Sequence, residues 1–148
     1  DELNASIGVV TLYATPDLKR KLKSIQNDLF DLGADLCVPI SENNNGRLRV
    51  STSQIETLEA EIDEMNNILN PLNSFILPGG CKSATFLHLA RTICRRAERS
   101  VVSLRSKEEI NNNTLIYLNR LSDWLFVASR VENQENSTEV LWSPGKNK

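Results

Sequence analysis

A short arginine-rich run carries the clearest chemical signal in this sequence. Four arginines and one glutamate fall within residues 91–99. Arg91, Arg95 and Glu98 are separated by four and three positions, so they share one face of a helix. Guanidinium groups bind carboxylates and phosphates through paired N–H donors. This surplus of arginine predicts an anionic ligand or a partner chain. The alternative is a solvated face of ion pairs worth ~0–1 kcal/mol each.

A second polar stripe follows in the next predicted helix. Asn119 and Ser122 each come one position after an apolar residue of that helix, and Asp123 lies one turn beyond Asn119. The arginines have the same one-position offset from their own apolar stripe. In an antiparallel pair of helices, equal offsets bring the two polar stripes to the same side. We therefore predict one shared surface that carries Arg91, Arg95, Glu98, Asn119 and Asp123.

Other reactive or aromatic residues carry weaker signals. His88 is the only histidine, which excludes a histidine-rich metal site, and a structural role fits it better than a catalytic one. Cys94 falls on the apolar stripe and is expected in the core. Phe75 either packs a loop or forms an apolar wall for a flat ligand. The sequence has no phosphate-binding glycine loop and no Glu-x-x-His pattern of di-iron bundles, so we predict no metal site and no standard nucleotide fold.

The composition is that of an ordinary globular chain. Its 148 residues suit one domain, and no apolar run approaches the ~18 residues of a membrane span. The net charge is −2, yet residues 82–130 hold nine basic and four acidic side chains. Nucleic-acid binding is not predicted, because the chain is acidic overall and lacks aromatic residues among the basic ones. Three cysteines at unrelated spacings fit a reducing compartment.

Apolar residues recur every three to four positions through most of the chain, which predicts helices. Thr15 and Pro16 are typical of a helix start, and residues 39–52 suggest a loop. Ser53 and Glu56 suggest a capping box that opens a third helix, which Asn70 and Pro71 would end. A fourth helix is predicted over about 82–106 and a fifth after a polar turn near 111–113.

We therefore predict an all-α, up-down bundle of about five helices in residues 1–132, followed by a loose polar tail over 133–148. Because the chain opens with Asp1, we expect its natural start to lie upstream.

Several motifs resemble those of one known family, the PduO-type ATP:corrinoid adenosyltransferases. The matching motifs are DELN at 1–4, IG at 7–8, NDLFDLG at 27–33, FILPGG at 75–80, LHLARTICRRAER at 87–99 and YLNRLSDWLF at 117–126. The resemblance covers about residues 1–132. It implies a ferritin-like five-helix bundle that assembles as a homotrimer. It also implies transfer of the 5′-deoxyadenosyl group of ATP to the cobalt of cob(I)alamin, with release of triphosphate.

The resemblance also implies roles for individual residues. Arg91 and Arg95 match catalytic positions, Phe75 matches the aromatic residue beside the lower face of the corrinoid, and Arg91 matches a residue that pairs with Asp1 of a neighbouring subunit. The positions that match the ATP site are Arg95, Arg96, Glu98, Arg99 and Asn119. Mg²⁺ is expected with ATP. A glycine- and threonine-containing ATP loop is expected upstream of Asp1.

The resemblance extends to partners and compartment. A reductase and an adenosylcobalamin-dependent acceptor enzyme are expected partners, in a bacterial cytoplasm rather than a mitochondrial matrix. The alternative function is a non-catalytic bundle that binds a corrinoid or an anionic partner as a carrier.

Overall fold

The computed structural model describes residues 1–40 and 46–146, and over this range the chain is all-α, as predicted. Part of the loop expected at 39–52, including Asn43, Asn44 and Asn45, lies outside the described residues. No described helix is long and apolar enough to cross a membrane. The described chain forms helices α1 (Glu2–Val10), α2 (Pro16–Leu36), α3 (Thr52–Asn66), α4 (Lys82–Arg105) and α5 (Asn112–Glu135).

Helix α5 lies at the centre of the bundle. It packs along α4 and α3, while α1 lies along α4 and also touches α2. Contacts between α4 and α5 run in opposite chain directions: His88 meets Ser129, and Glu98 meets Asn119. The pair is therefore antiparallel, as the short connection between the two helices requires.

The predicted apolar stripes form the core. On α4, Leu87, Ala90 and Cys94 are fully buried. The apolar stripe of α5 is buried as well, and it consists of Leu118, Leu121, Leu125 and Ala128. Tyr117 and Trp124 of α5 are also fully buried. Their polar atoms hold neighbouring helices, since the Tyr117 hydroxyl donates to an Asp28 oxygen of α2 at 2.8 Å and Trp124 Nε1 donates to a Glu61 oxygen of α3 at 2.7 Å.

The predicted start of α2 is correct, and the predicted start of α3 is wrong. Thr15 caps α2 by accepting a hydrogen bond from the backbone N–H of Leu18, with Pro16 in the first turn. Helix α3 begins at Thr52, and its cap lies two residues before the predicted cap at Ser53. Its cap is Ser51, whose backbone N–H donates to Gln54 Oε1 at 2.9 Å. Gln54 also donates to Asp28 Oδ1 of α2 at 2.8 Å, a tertiary contact that favours the earlier start.

Helix α3 ends at Asn66, before the predicted stop at Asn70 and Pro71. Side chains of α5 satisfy carbonyl groups beyond this end. Gln134 donates to the carbonyl of Ile68 at 2.9 Å, and Arg130 donates to that of Asn70 at 2.8 Å. Free carbonyls after a helix need such partners, so the contact with α5 allows the helix to stop early.

The segment after α5 differs from the loose tail expected over 133–148. Helix α5 itself continues to Glu135, and Asn133 is almost fully buried. Glu139, which lies beyond the helix, forms an ion pair with Arg130 of α5 at 3.1 Å. The backbone then forms an antiparallel bridge between Leu141 and Ile76. These polar and backbone contacts fix residues whose composition alone gives no sign of structure.

Candidate active site

A chain of polar contacts joins α4 and α5 on one face of the bundle. The Glu98 carboxylate forms an ion pair with Arg95 and accepts a hydrogen bond from Asn119 Nδ2 at 2.9 Å. Asn119 Oδ1 in turn accepts from Arg120 at 2.7 Å, and Arg120 pairs with Asp123 at 3.1 Å. We call these five residues the polar network. Four of them were predicted from the sequence to share one surface. Arg120 was missed, although its position next to Asn119 could have indicated that it belongs to the same surface.

The polar network leaves positive charge facing solvent. The Arg95 side chain is 47% exposed, whereas that of Glu98 is only 13% exposed. Arg99 is exposed too and donates to the Arg95 carbonyl at 3.2 Å. A shielded carboxylate that orients an exposed guanidinium is suited to holding an anion, because the fork of N–H donors is fixed before the ligand arrives.

Arg96 lies on a different side of α4 from the polar network. It forms an ion pair with Glu2 of α1. Both residues line a groove of about 380 Å³ together with Asp1 and Ala97. The residues predicted to bind ATP therefore lie in two places within one chain. Arg95, Glu98 and Asn119 are connected by direct contacts, whereas Arg96 faces the start of the chain.

A second groove, of about 700 Å³, begins one turn from Arg95. We call it the aromatic groove. Its walls include Phe75, Arg91, Phe126 and Trp142. Arg91 Nε is buried, and no described residue accepts a hydrogen bond from it. Asp1 does not line this groove, so a single chain does not supply the predicted Asp1–Arg91 pair there.

Phe75 is the most exposed large apolar side chain of the described residues, at 76%. Its ring contacts Trp142, with 5.9 Å between ring centroids. Its carbonyl accepts a hydrogen bond from the Trp142 backbone N–H at 2.7 Å, and Ser74 Oγ donates to the Trp142 carbonyl at 2.8 Å. No role for Trp142 could be predicted from the sequence, because its partners lie almost seventy residues away in the chain.

A glycine turn links the Phe75 segment to the start of α4. Gly79 and Gly80 both have positive φ, at 155° and 107°. Asn133 of α5 bonds on both sides of the turn, since its Nδ2 donates to the Gly79 carbonyl at 2.9 Å and its Oδ1 accepts from the Cys81 N–H at 3.0 Å. A Cβ on Gly80 would lie 2.6 Å from Asn133 Cγ, which leaves room only for glycine.

The site has few groups suited to nucleophilic or base chemistry. Burial raises the pKa of the Cys94 thiol to about 12, and its Sγ–H donates to the Leu118 carbonyl at 3.2 Å. Burial and the neighbouring Arg91 lower the pKa of His88. Within residues 1–40 and 46–146, no three His, Cys, Asp or Glu side chains gather as a metal site would require. The geometry suits anion binding beside an apolar ligand, with the reactive atoms brought by the ligands.

Comparison with known proteins places this geometry in a family. The family model described as "Cobalamin adenosyltransferase" matches residues 1–132. The corrinoid adenosyltransferase of Mycobacterium tuberculosis is 47% identical over 150 residues, covering 98% of this chain and 77% of its own length. That of Bacillus subtilis is 46% identical over 90% of this chain and 70% of its own length. The corrinoid adenosyltransferase PduO of Salmonella typhimurium is 38% identical over 91% of this chain and 40% of its own length.

Solved structures agree with the sequence relatives. A variant PduO-type ATP:corrinoid adenosyltransferase from Lactobacillus reuteri, complexed with cobalamin and ATP, superimposes with a TM-score of 0.89 at 37% identity. The match covers 96% of this chain and 81% of that one. The family predicted from the sequence motifs is thus confirmed, and the chain belongs to the cobalamin adenosyltransferase family.

Proposed function

We propose that this chain transfers the 5′-deoxyadenosyl group of ATP to the cobalt of a reduced corrinoid. The cobalt–carbon bond forms as the bond between C5′ and the triphosphate oxygen breaks, and triphosphate leaves. One observation carries the proposal: the aromatic groove and the polar network are adjacent. Arg91 lines the groove, and Arg95, one turn further along α4, belongs to the polar network. An apolar ring and a triphosphate could therefore lie side by side.

The polar network would hold the triphosphate of ATP. Arg95 would stabilise the negative charge that grows on the leaving group, which is the usual task of a fixed donor in such a step. Glu98 and Asn119 would orient Arg95, and Arg99 would add a second guanidinium. Arg96 would exchange its exposed pair with Glu2 for a phosphate oxygen.

Mg²⁺ is proposed to accompany ATP and to be held chiefly by phosphate oxygens. The Glu98 carboxylate, the most shielded acid of the polar network, is already taken by Arg95 and Asn119. The bound ion would supply additional charge to the leaving triphosphate.

The aromatic groove would hold the corrinoid. Phe75 would lie against the lower face of the ring, keep water and other axial ligands from the cobalt, and so favour the four-coordinate metal that is easier to reduce. The 76% exposure of Phe75 supports this role, because its ring is free to pack against a ligand and burial of that apolar area would favour binding. Phe126 would form part of the opposite wall.

The working unit is proposed to be a homotrimer in which Asp1 of one subunit pairs with Arg91 of the next. Two observations support this pairing. Arg91 Nε has no partner among the described residues of its own chain, and Asp1 is exposed at a different groove. A carboxylate arriving from a neighbour would satisfy the buried donor.

A reductase that supplies the reduced corrinoid and an acceptor enzyme that takes the product are the proposed partners. The bacterial cytoplasm is the proposed compartment, because the similar curated proteins are bacterial and the three cysteines are unpaired.

An anaerobic absorbance assay with ATP, Mg²⁺ and chemically reduced cobalamin tests the proposal. We expect conversion to the adenosylcobalamin spectrum. Arg95→Ala should lower kcat/KM by about 10²- to 10³-fold. The matched control is Arg105→Ala, since Arg105 is an exposed arginine in the last turn of the same helix. Circular dichroism should show both variants folded, because neither side chain fills the core.

Three outcomes would count against this assignment. Full activity in Arg95→Ala would remove the polar network from the reaction, and a collapsed fold in that variant would mean that Arg95 is structural. Corrinoid binding without conversion would indicate a carrier. For Phe75→Ala we expect slower conversion with the corrinoid still bound, so loss of binding would make Phe75 an anchor for the ring.

A further inference from the structure

His88 lies directly behind the aromatic groove, and the proposed reaction gives it no role. It is on α4, one turn before Arg91, and is only 3% exposed. Its ring meets Phe126 edge-on, with 6.3 Å between centroids. Its Nε2 lies 3.3 Å from Ser129 Oγ on α5. His88 therefore touches one wall residue of the groove and neighbours another along the helix.

Hydrogen-bond donors and acceptors at Ser129 determine which nitrogen of His88 carries the proton. The Ser129 hydroxyl has one hydrogen and donates it to the Phe126 carbonyl at 2.6 Å. Its oxygen is then free only to accept, so the donor in the contact with His88 must be Nε2–H. A neutral ring protonated on Nε2 carries a lone pair on Nδ1. That Nδ1 is buried and has no partner among the described residues.

The charges around His88 disfavour a second proton. Arg91 on α4 and Glu139 beyond α5 are the charged groups that act on it. Glu139 is already engaged, because it pairs with Arg130 at 3.1 Å. A proton on Nδ1 would create a buried cation beside the Arg91 guanidinium, and buried cations without a partner are expensive. Burial and the Arg91 charge thus favour a neutral imidazole behind the groove.

We propose that His88 is a positioning residue for the aromatic groove: as a neutral imidazole anchored to Ser129 through Nε2–H, it supports the Phe126 ring by direct edge-on contact and keeps a second positive charge away from Arg91. The inference rests on the proposed corrinoid site in that groove. Protonation at Nδ1 would leave the Nε2–H bond to Ser129 in place, but it would push the imidazole away from Arg91 and so displace the Phe126 ring that it contacts. Binding of the corrinoid would weaken. Binding of ATP would change little, because the polar network begins at Arg95, one turn beyond Arg91.

The two sides can be separated by measuring KM for cob(I)alamin and for ATP as functions of pH. In the wild type, KM for the corrinoid should rise as the pH falls through the lowered pKa of His88, which lies below the ordinary histidine value of 6.5. His88→Gln keeps an N–H donor for Ser129 and cannot be protonated, so its corrinoid KM should stay flat with pH. His88→Leu lacks the donor, and its corrinoid KM should rise about tenfold at every pH, with the ATP KM within about twofold.

Nitrogen NMR of the imidazole provides a readout that does not depend on turnover. His88 is the only histidine of the chain, so a sample without a histidine tag gives one unambiguous signal. We expect the Nε2–H tautomer and a titration midpoint below 6.5. Urea unfolding monitored by circular dichroism should show the Gln variant as stable as the wild type near pH 8.

Several results would overturn the inference. An Nδ1–H tautomer would contradict it. So would an unchanged corrinoid KM in His88→Leu, or a corrinoid KM in His88→Gln that rises at low pH as in the wild type. Failure of adenosyl transfer is a separate result. If the wild type showed no turnover, the function proposed above would fall, while the tautomer and the pH dependence of cob(II)alamin binding would still decide the role of His88.

Discussion

Replacing Gly80 with alanine should disturb the candidate site from outside it. Gly80 has φ of 107°, in a region that side chains rarely adopt. An added Cβ would lie 2.6 Å from Asn133 Cγ and 2.7 Å from its Nδ2. Asn133 is 1% exposed and held by several bonds, so it cannot simply swing away. The turn between Phe75 and α4 must therefore shift.

The expected loss of stability has two parts. An alanine at this φ costs about 1–3 kcal/mol in backbone strain. Displacing Asn133 breaks its bonds to the Gly79 carbonyl and to the Cys81 N–H, which keeps only its bond to Thr138 Oγ1, and this costs about 1–3 kcal/mol more. The free energy of unfolding should therefore fall by about 2–6 kcal/mol.

Gly46→Ala is the matched control for backbone strain. Gly46 has φ of 86°, and a Cβ there would meet no atom of the described residues within 4 Å. It should cost only the strain, about 1–2 kcal/mol. Urea denaturation followed by circular dichroism gives both values, and the difference between them measures the collision with Asn133.

A double variant sharpens the test. If the collision is real, adding Asn133→Ala to Gly80→Ala should cost less than the sum of the two single changes, with a coupling of about 1 kcal/mol or more. Gly80→Ala should also lower kcat/KM for the corrinoid, and the factor of this loss should exceed the factor by which KM for ATP changes. Equal losses in the Gly80 and Gly46 variants, within about 0.5 kcal/mol, would refute the reasoning.

Three further predictions follow from buried groups. Asp35 is 1% exposed and accepts bonds from arginine, amide and backbone donors, so Asp35→Ala should lower the free energy of unfolding by about 3–5 kcal/mol in urea. With a thiol pKa of about 12, Cys94 should resist iodoacetamide at pH 8 while exposed Cys37 is modified, as mass spectrometry would show. Because the pKa of His88 is lowered in the folded state, the unfolded chain binds more protons below pH 6.5, so stability should fall as the pH drops and should fall less in His88→Gln.

Periodic features of the fold could be predicted from the sequence. The apolar stripes gave the five helices and most of the core, because burial of one helical face is a local and repeating constraint. The offset between the apolar and polar stripes also placed Glu98 near Asn119, which lie in contact at 2.9 Å. Both results depend only on helix geometry and on the short connection between α4 and α5.

Features that depend on single long-range contacts could not be predicted. Asn133 and Trp142 fall in a stretch whose polar composition suggested a tail, yet each forms bonds with residues more than fifty positions away. The capping box at Ser53 was misplaced because Ser51 and Gln54 offer the same spacing, and a contact with α2 decides between them. Such contacts leave no periodic trace in the sequence.

The spacing of α4 and α5 connects the core to the site. Cys94 Sγ lies 3.2 Å from the Leu118 carbonyl, so a small side chain at this position allows the two backbones to come close. Asn119 follows Leu118 directly, and its amide reaches Glu98 because of that approach. Close packing in the core therefore sets the geometry of the polar network, although Cys94 takes no part in the chemistry.

Two substitutions at Cys94 separate packing from reactivity. Cys94→Leu should overfill the contact, force Leu118 away and cost about 1–3 kcal/mol. The bond between Glu98 and Asn119 should then break, with ATP KM rising. Cys94→Ala removes the thiol without adding volume, so it should retain activity and lose only about 1 kcal/mol. If Cys94→Ala were as inactive as Cys94→Leu, the thiol would have a chemical role that its burial argues against.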